Sequence, residues 1–187
     1  MAISDSRVGL TYEDYLQLPE DGRRHELIGG DHHVTPAPNA KHQSIEASFQ
    51  RSLGNFVYEN DLGWFVAGPF DVVLSEIDVV QPDLLFVARE HLDRRTDTHL
   101  RGAPDLVIEI LSDSTRRRDE VDKRHLYERH GVAEYWIVDP LTDAVKVYRR
   151  GSEGRYGLVA QLALEAGDRL ASPLFPGFQL PLADLFA

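Results

Sequence analysis

Two hydrophobic periods alternate along the chain, and each change of period marks an element. From Asn39, NAKHQSIEASFQRSLGNFVYEN places apolar residues at 45, 49, 53, 56 and 57. Such spacing gathers them on one side of an α-helix of several turns. GWFVAG, FDVVLS and VVQPDLLFV then read as strands, broken by Gly, Pro and acidic turn residues. REHLDRRTDTHLRG reads as a polar connection with a short helix. PDLVIEILS and EYWIVDP predict two more strands, and between them TRRRDEVDKRHLYERHG predicts a helix that Gly131 ends. Upstream, Thr11 and Asp14 predict an N-capped short helix stopped by Pro19, and RRHELIGGDHHVTP a hairpin turning at Gly29-Gly30. Downstream, DAVKVYRR and YGLVAQLAL predict antiparallel strands before a Pro-punctuated tail with an apolar end. The order is mixed α and β, with no repeat or linker, and 187 residues suffice for one domain with its own core.

Against that pattern, carboxylates inside apolar strands stand out, because a buried unpaired charge is costly. Alternation along PDLVIEILS sends Leu106, Ile108 and Ile110 to one face and Asp105, Val107, Glu109 and Leu111 to the other. Asp105 and Glu109 lie about 13 Å apart at ~3.3 Å per residue, too far to share one ion. Asp105, beside Pro104, reads as turn chemistry at a strand entrance. Glu109 therefore needs a partner from a neighbouring strand, and Asp83 in VVQPDLLFV is the best candidate. Two carboxylates brought together repel unless a proton or a metal intervenes. Mg²⁺ suits such a pair, with waters and phosphate oxygens completing its shell. Lys123, on the following helix among Arg116, Arg117, Arg118 and Arg124, could supply a compact positive charge. The same helix could equally be a solvated face with i,i+4 pairs.

Composition narrows the partners. There are no cysteines, so disulfides and thiolate metal sites are excluded and a reducing cytoplasm is the expected location. The opening MAISDSRVGLTYEDY has no apolar run of a secretory signal, and no run approaches the ~18 apolar residues of a membrane helix. Lys plus Arg is 20 against 31 Asp plus Glu, a formal net charge of −11 that argues against broad phosphate attraction.

QPDLLFV, followed by APDLVIEILSDSTRRRDEVDKRHLYERHGVAEYWIVDP, resembles the Uma-type branch of the PD-(D/E)XK nuclease superfamily. LTYEDYLQLPEDGRRHELIGGDHHVTPAPNAKHQ and SPLFPGFQLPLADLF resemble it too, so the likeness covers nearly the whole chain. It implies a mixed α/β, restriction-endonuclease-like core, a central mixed β-sheet flanked by helices. An N-terminal helix-hairpin and a C-terminal β extension would complete a single domain over 1–187, with its core in roughly residues 40–140. It also implies Mg²⁺-dependent hydrolysis of DNA phosphodiester bonds, with Mn²⁺ as a substitute. The branch's two metal-binding acids fall on Asp83 and Glu109. The superfamily's usual lysine position, two residues past the glutamate, holds Leu111, and this branch would draw its amine from Lys123 instead. Glu26 in HELIGGD and His42 in AKHQ match two further positions. Glu26 could be a third carboxylate or pair with Arg23 or Arg24, and His42 is expected to cap the helix or support the site. Where the branch commonly has an acid before the Gly, Gly29 stands here.

Two functional classes remain open. One is a metal-dependent endonuclease, with Arg116 and Arg117 gripping phosphates at a basic rim and a homodimer expected for cutting a duplex. The other is a catalytically weak module acting through a protein partner, favoured by the net charge and by Leu111. His32, His33 and His42 with Asp31 suggest zinc, but adjacent histidines on a strand face opposite ways. Trp64 could stack a base, whereas Trp136 reads as core.

Overall fold

The structure, a computed structural model, describes residues 9–187, so part of the stretch read for a secretory signal lies outside it. α1 (Tyr12–Tyr15) opens on the expected capping box between Thr11 and Asp14. β1 (Arg24–Ile28) and β2 (Asp31–Thr35) form the hairpin. Gly29 and Gly30 both have positive φ, as a two-residue turn of this type demands. Asn39 accepts the His42 N–H and caps α2 (Ala40–Phe49), which runs through a π-helical stretch (Gln50–Gly54) into α3 (Asn55–Glu59). β3 (Gly63–Ala67), β4 (Asp71–Ser75), β5 (Asp78–Val80) and β6 (Leu84–Ala88) follow. A 3₁₀ turn (Arg89–Arg94) leads to β7 (His99–Arg101) and then to β8 (Leu106–Ile110). A π-helical stretch (Arg118–Lys123) continues as α4 (Arg124–His130), and Gly131 ends it at φ 86°. β9 (Glu134–Asp139), β10 (Ala144–Arg150) and β11 (Tyr156–Ala163) precede the short pair β12 (Arg169–Leu170) and β13 (Leu180–Pro181) and a last turn, α5 (Leu182–Leu185).

The strands form two larger sheets. A central mixed sheet runs β11-β10-β9-β8-β6-β3, with β8 and β9 parallel, and a second runs β2-β1-β5-β4-β7. Alternation divides the central sheet's side chains as the sequence pattern requires. Leu106, Ile108 and Ile110 pack with Ile45, Phe49, Leu53 and Val57 of the long helix and with the C-terminal Phe175, Leu182 and Leu185. Val107, Leu111, Tyr135 and Ile137 pack on the other face with Leu126 and Tyr127 of α4 and with Val72, Val80 and Leu100 of the second sheet. Trp136 is core, and its indole N–H donates to Glu134 at 2.8 Å. Among the described residues, no helix is long and apolar enough to cross a membrane.

Two expectations need correction. VVQPDLLFV is not one strand: it leaves the second sheet at Val80 and joins the central sheet at Leu84. Pro82 has no N–H for a ladder and keeps Gln81 extended, so pairing lapses and the chain changes sheets there without turning back. REHLDRRTDTHLRG is also more than a connection, since β7 pairs in parallel with β4. Three residues are too few for a periodic signal.

Candidate active site

The change of sheet at Gln81-Pro82-Asp83 builds the site. Leu84 pairs with Ile108, so the antiparallel register sets Asp83, just outside β6, against Glu109. The junction is held closely. Gly68 donates its N–H to the Asp83 carbonyl at 2.7 Å, and a Cβ at Gly68 would stand 2.7 Å from the Pro82 carbonyl oxygen. The Asp83 carboxylate accepts the Ile110 N–H at 2.8 Å on Oδ2, His42 Nε2 lies 3.0 Å from the same oxygen, and Arg24 grips Oδ1. With Asp83 ionised, His42 Nε2 must carry the proton and donate it. Burial pushes the Asp83 pKa up, but the His42 bond, the Arg24 charge and the Ile110 amide outweigh it and hold the group below its ordinary value.

Glu109 lives in the opposite environment. Lys123 Nζ and the Tyr127 hydroxyl both donate to its Oε1 at 2.8 Å. Burial, opposed by Lys123 but reinforced by Asp119, Asp83 and Glu26, pushes its pKa up to about 8. The Lys123 ammonium also lies 2.8 Å from Glu26 Oε1 and 3.7 Å from Asp119 Oδ1. Burial alone would favour the neutral amine, yet the three surrounding carboxylates raise its pKa above the ordinary lysine value. Lys123 therefore stays charged. Glu26, beside Arg24 by strand alternation, accepts the Gln81 N–H at 2.9 Å. Its Oε2 and the Oδ1 of Asp119 are buried without a hydrogen-bond partner.

Asp83, Glu109, Lys123, Glu26 and His42 thus converge on one cavity of 240 Å³. Arg116 and Arg117 do not join them. Arg116 is turned away into a bidentate pair with Asp139, at 2.8 and 2.9 Å, and Arg117 is exposed. The arginines at the cavity are Arg24 and Arg118, the latter donating to Thr35 at 2.6 Å. Asp105 takes no part: it accepts the Ala88 N–H at 2.7 Å and pairs with His91. Neither do the remaining histidines gather, since His32 stacks on His25. Trp64 packs edge-on against Phe70, under the Arg95 guanidinium. Sequence reasoning passed over Asp119 and Tyr127, although both stand four residues from Lys123 and so share its helix face.

This donor set is all oxygen and hard, which suits Mg²⁺ or Mn²⁺ better than a thiophilic ion. Among the described residues, no three His, Asp or Glu side chains form a ready cage, so Asp83 and Glu109 with water would make up the shell. The two oxygens without a hydrogen bond, Glu26 Oε2 and Asp119 Oδ1, have only the more distant Arg118 at 3.6 Å and Lys123 at 3.7 Å beside them at the same place.

The family profile described as "Uma2: Putative restriction endonuclease" matches residues 12–183. This chain belongs to the Uma2 family. The crystal structure of "a putative nuclease belonging to DUF820" from Anabaena variabilis shares the fold, with a TM-score of 0.79 over 95% of this chain and 97% of that one, at 22% identity. A comparison with curated proteins finds no match. The Uma2 assignment and the mixed sheet flanked by helices make this a restriction-endonuclease-like protein.

Proposed function

We propose that this Uma2 protein is a Mg²⁺-dependent endonuclease that hydrolyses DNA phosphodiester bonds, with Mn²⁺ able to substitute. The observation that carries the reading is the placement of Lys123. The strand position two past Glu109 holds Leu111, buried in the core, while the helix delivers an ammonium to within 2.8 Å of Glu109. Asp83 and Glu109 would hold the ion, which supplies Lewis acidity toward the phosphate and a lowered pKa for bound water. The protein's own groups account for the rest. Lys123, held charged by three acids, cannot accept the water's proton; it stabilises negative charge developing on the phosphate oxygens. Arg24 and Arg118, on the cavity wall, orient the phosphate, and His42 fixes the Asp83 carboxylate.

A second reading, a non-catalytic module acting through a protein partner, draws on one observation. Both Asp83 oxygens already have partners, in Arg24, His42 and the Ile110 amide. One experiment separates the two. Closed circular DNA, single- and double-stranded, is incubated with the protein in Mg²⁺ or Mn²⁺, with Asp83→Ala as control. The nuclease reading expects opening of circles that Asp83→Ala slows on the order of 10²-fold or more. Absence of cleavage, or cleavage indifferent to that substitution, favours the module.

A further inference from the structure

Resting on the nuclease reading, we infer that the substrate enters as single-stranded DNA, lying in a trough that leads from the acid cluster past α2. Depth is the first reason. Glu26, Glu109, Lys123 and Asp83 are only 1, 3, 3 and 5% exposed, at the floor of the 240 Å³ cavity. A duplex has a persistence length of about 150 base pairs, so following such a concave floor costs it bending energy that a single strand does not pay. A single strand bends freely and can lower one phosphate to the floor.

The second reason is continuity. A further cavity of 560 Å³ shares Arg24, the Thr35–Pro38 segment and Gln81 with the first, and the two form one trough. One wall is a face of the long helix, where Gln43 and Ala47 of α2 and Gln50 just beyond it follow at spacings of four and three and are all exposed, with Glu46 beside them. The side-chain amides of Gln43 and Gln50 can hydrogen-bond base edges, and a single strand offers them its Watson–Crick edges, which a duplex uses up in pairing. Arg23 and Gly68-Pro69 stand on the other side.

Charge is the third reason. Arg23, Arg24, Arg118 and Lys123 are the basic side chains lining the trough. Each already faces an acid: Arg24 faces Asp83, Arg118 Glu26 at 3.6 Å, Lys123 the acid cluster and the exposed Arg23 Asp21 at 3.7 Å, so the positive charge that Arg24 and Arg118 bring to a phosphate is largely compensated. One or two phosphates can be neutralised there, too few to hold a duplex against a net charge of −11. A single strand also needs only one cut, so the expectation of a homodimer loses its motive.

Fluorescence anisotropy with a 5′-labelled oligonucleotide, single-stranded and annealed to its complement, tests this on the full chain in Ca²⁺, and cleavage of both is followed in Mg²⁺ and Mn²⁺. Ala47→Lys and Ala47→Glu change charge at an exposed helical position outside the catalytic cluster, and thermal melting checks that both remain folded. The single strand should bind at least about tenfold more tightly than the duplex. Its affinity should rise severalfold in Ala47→Lys and fall severalfold in Ala47→Glu, while duplex binding stays put. Its salt slope should stay shallow, about −0.7 per phosphate held. Duplex bound or cut as well as single strand, binding to neither, or single-strand affinity indifferent to position 47 overturns the inference. Single strand bound in the trough but never cut sinks the nuclease reading and leaves the strand preference standing.

Discussion

Asp78 and Glu109 are both buried carboxylates on strands, and the protein treats them in opposite ways. Asp78 accepts the Gly29 N–H at 2.7 Å and the Ser75 hydroxyl at 2.8 Å, with His130 Nε2 at 3.1 Å and Arg129 Nη2 at 3.2 Å. Burial raises its pKa, but these partners, the Gly29 amide first, bring it below the ordinary value. Both oxygens are used, and the hairpin turn is tied to β5 and to the end of α4. At Glu109, three acids including itself crowd one lysine, and two oxygens of its neighbours Glu26 and Asp119 have no hydrogen bond. Asp78 is satisfied within the fold, whereas the cluster at Glu109 leaves two neighbouring carboxylate oxygens without a hydrogen bond in a cavity, as sites of chemistry commonly do.

The largest expected effect comes from removing the shared cation. Lys123→Met should cost about 3–5 kcal/mol in urea unfolding at neutral pH with EDTA, because it strands buried carboxylates. Adding Glu109→Gln should return part of that loss; if the double variant is no better than the single, lost packing rather than charge sets the cost. Next come substitutions with opposite signs in the two regions. Asp78→Ala leaves the buried partners around it unpaired and should cost about 1–3 kcal/mol. Asp119→Asn removes one of the crowded charges and should leave the metal-free protein unchanged or more stable. Destabilisation by both would erase the distinction.

Much of this was legible beforehand, for identifiable reasons. Alternation in LVIEI assigns Glu109 its face, and a Thr-x-x-Asp cap, Gly29-Gly30 and Gly131 mark element ends by local chemistry. What the sequence could not show depends on rotations between distant elements. Arg24 and Arg116 look equally suited to gripping phosphate. One stands at the cavity because β1 pairs with β5, and the other meets Asp139 at the far end of β9. Likewise the hairpin exit at Thr35–Pro38 lines both cavities, with Ser112–Thr115 at the first and α2 residues at the second, a meeting of segments far apart in the chain.

The pH response sharpens the contrast further. Glu109 has a folded pKa of about 8 against an ordinary 4.5, so the metal-free native state holds that proton more tightly than the unfolded chain. Its contribution is fully present below about 4.5 and lost as pH rises through about 8. Asp78, lowered from 3.8, has the reverse sign, present above that value and lost on acidification. Unfolding in EDTA across pH 4.5–8 should therefore show wild-type stability declining relative to Glu109→Gln. Parallel curves would mean that Glu109 is already ionised throughout.

The smallest effect belongs to Arg116. Its bidentate partner Asp139 has a pKa lowered to about 2, chiefly by that hydrogen bond, but the pair is partly exposed, with side chains at 31 and 18%. Exposed pairs contribute at most about 1 kcal/mol. The contribution is present above 3.8 and disappears as pH falls toward about 2, so Arg116→Ala should lose a little stability at neutral pH and none in strong acid. Its single-strand binding should match wild type, because the guanidinium is committed to Asp139 and lies outside the trough. A severalfold loss of binding would instead make Arg116 part of the rim. The partners of a surface arginine would then no longer tell a structural pair from a phosphate contact.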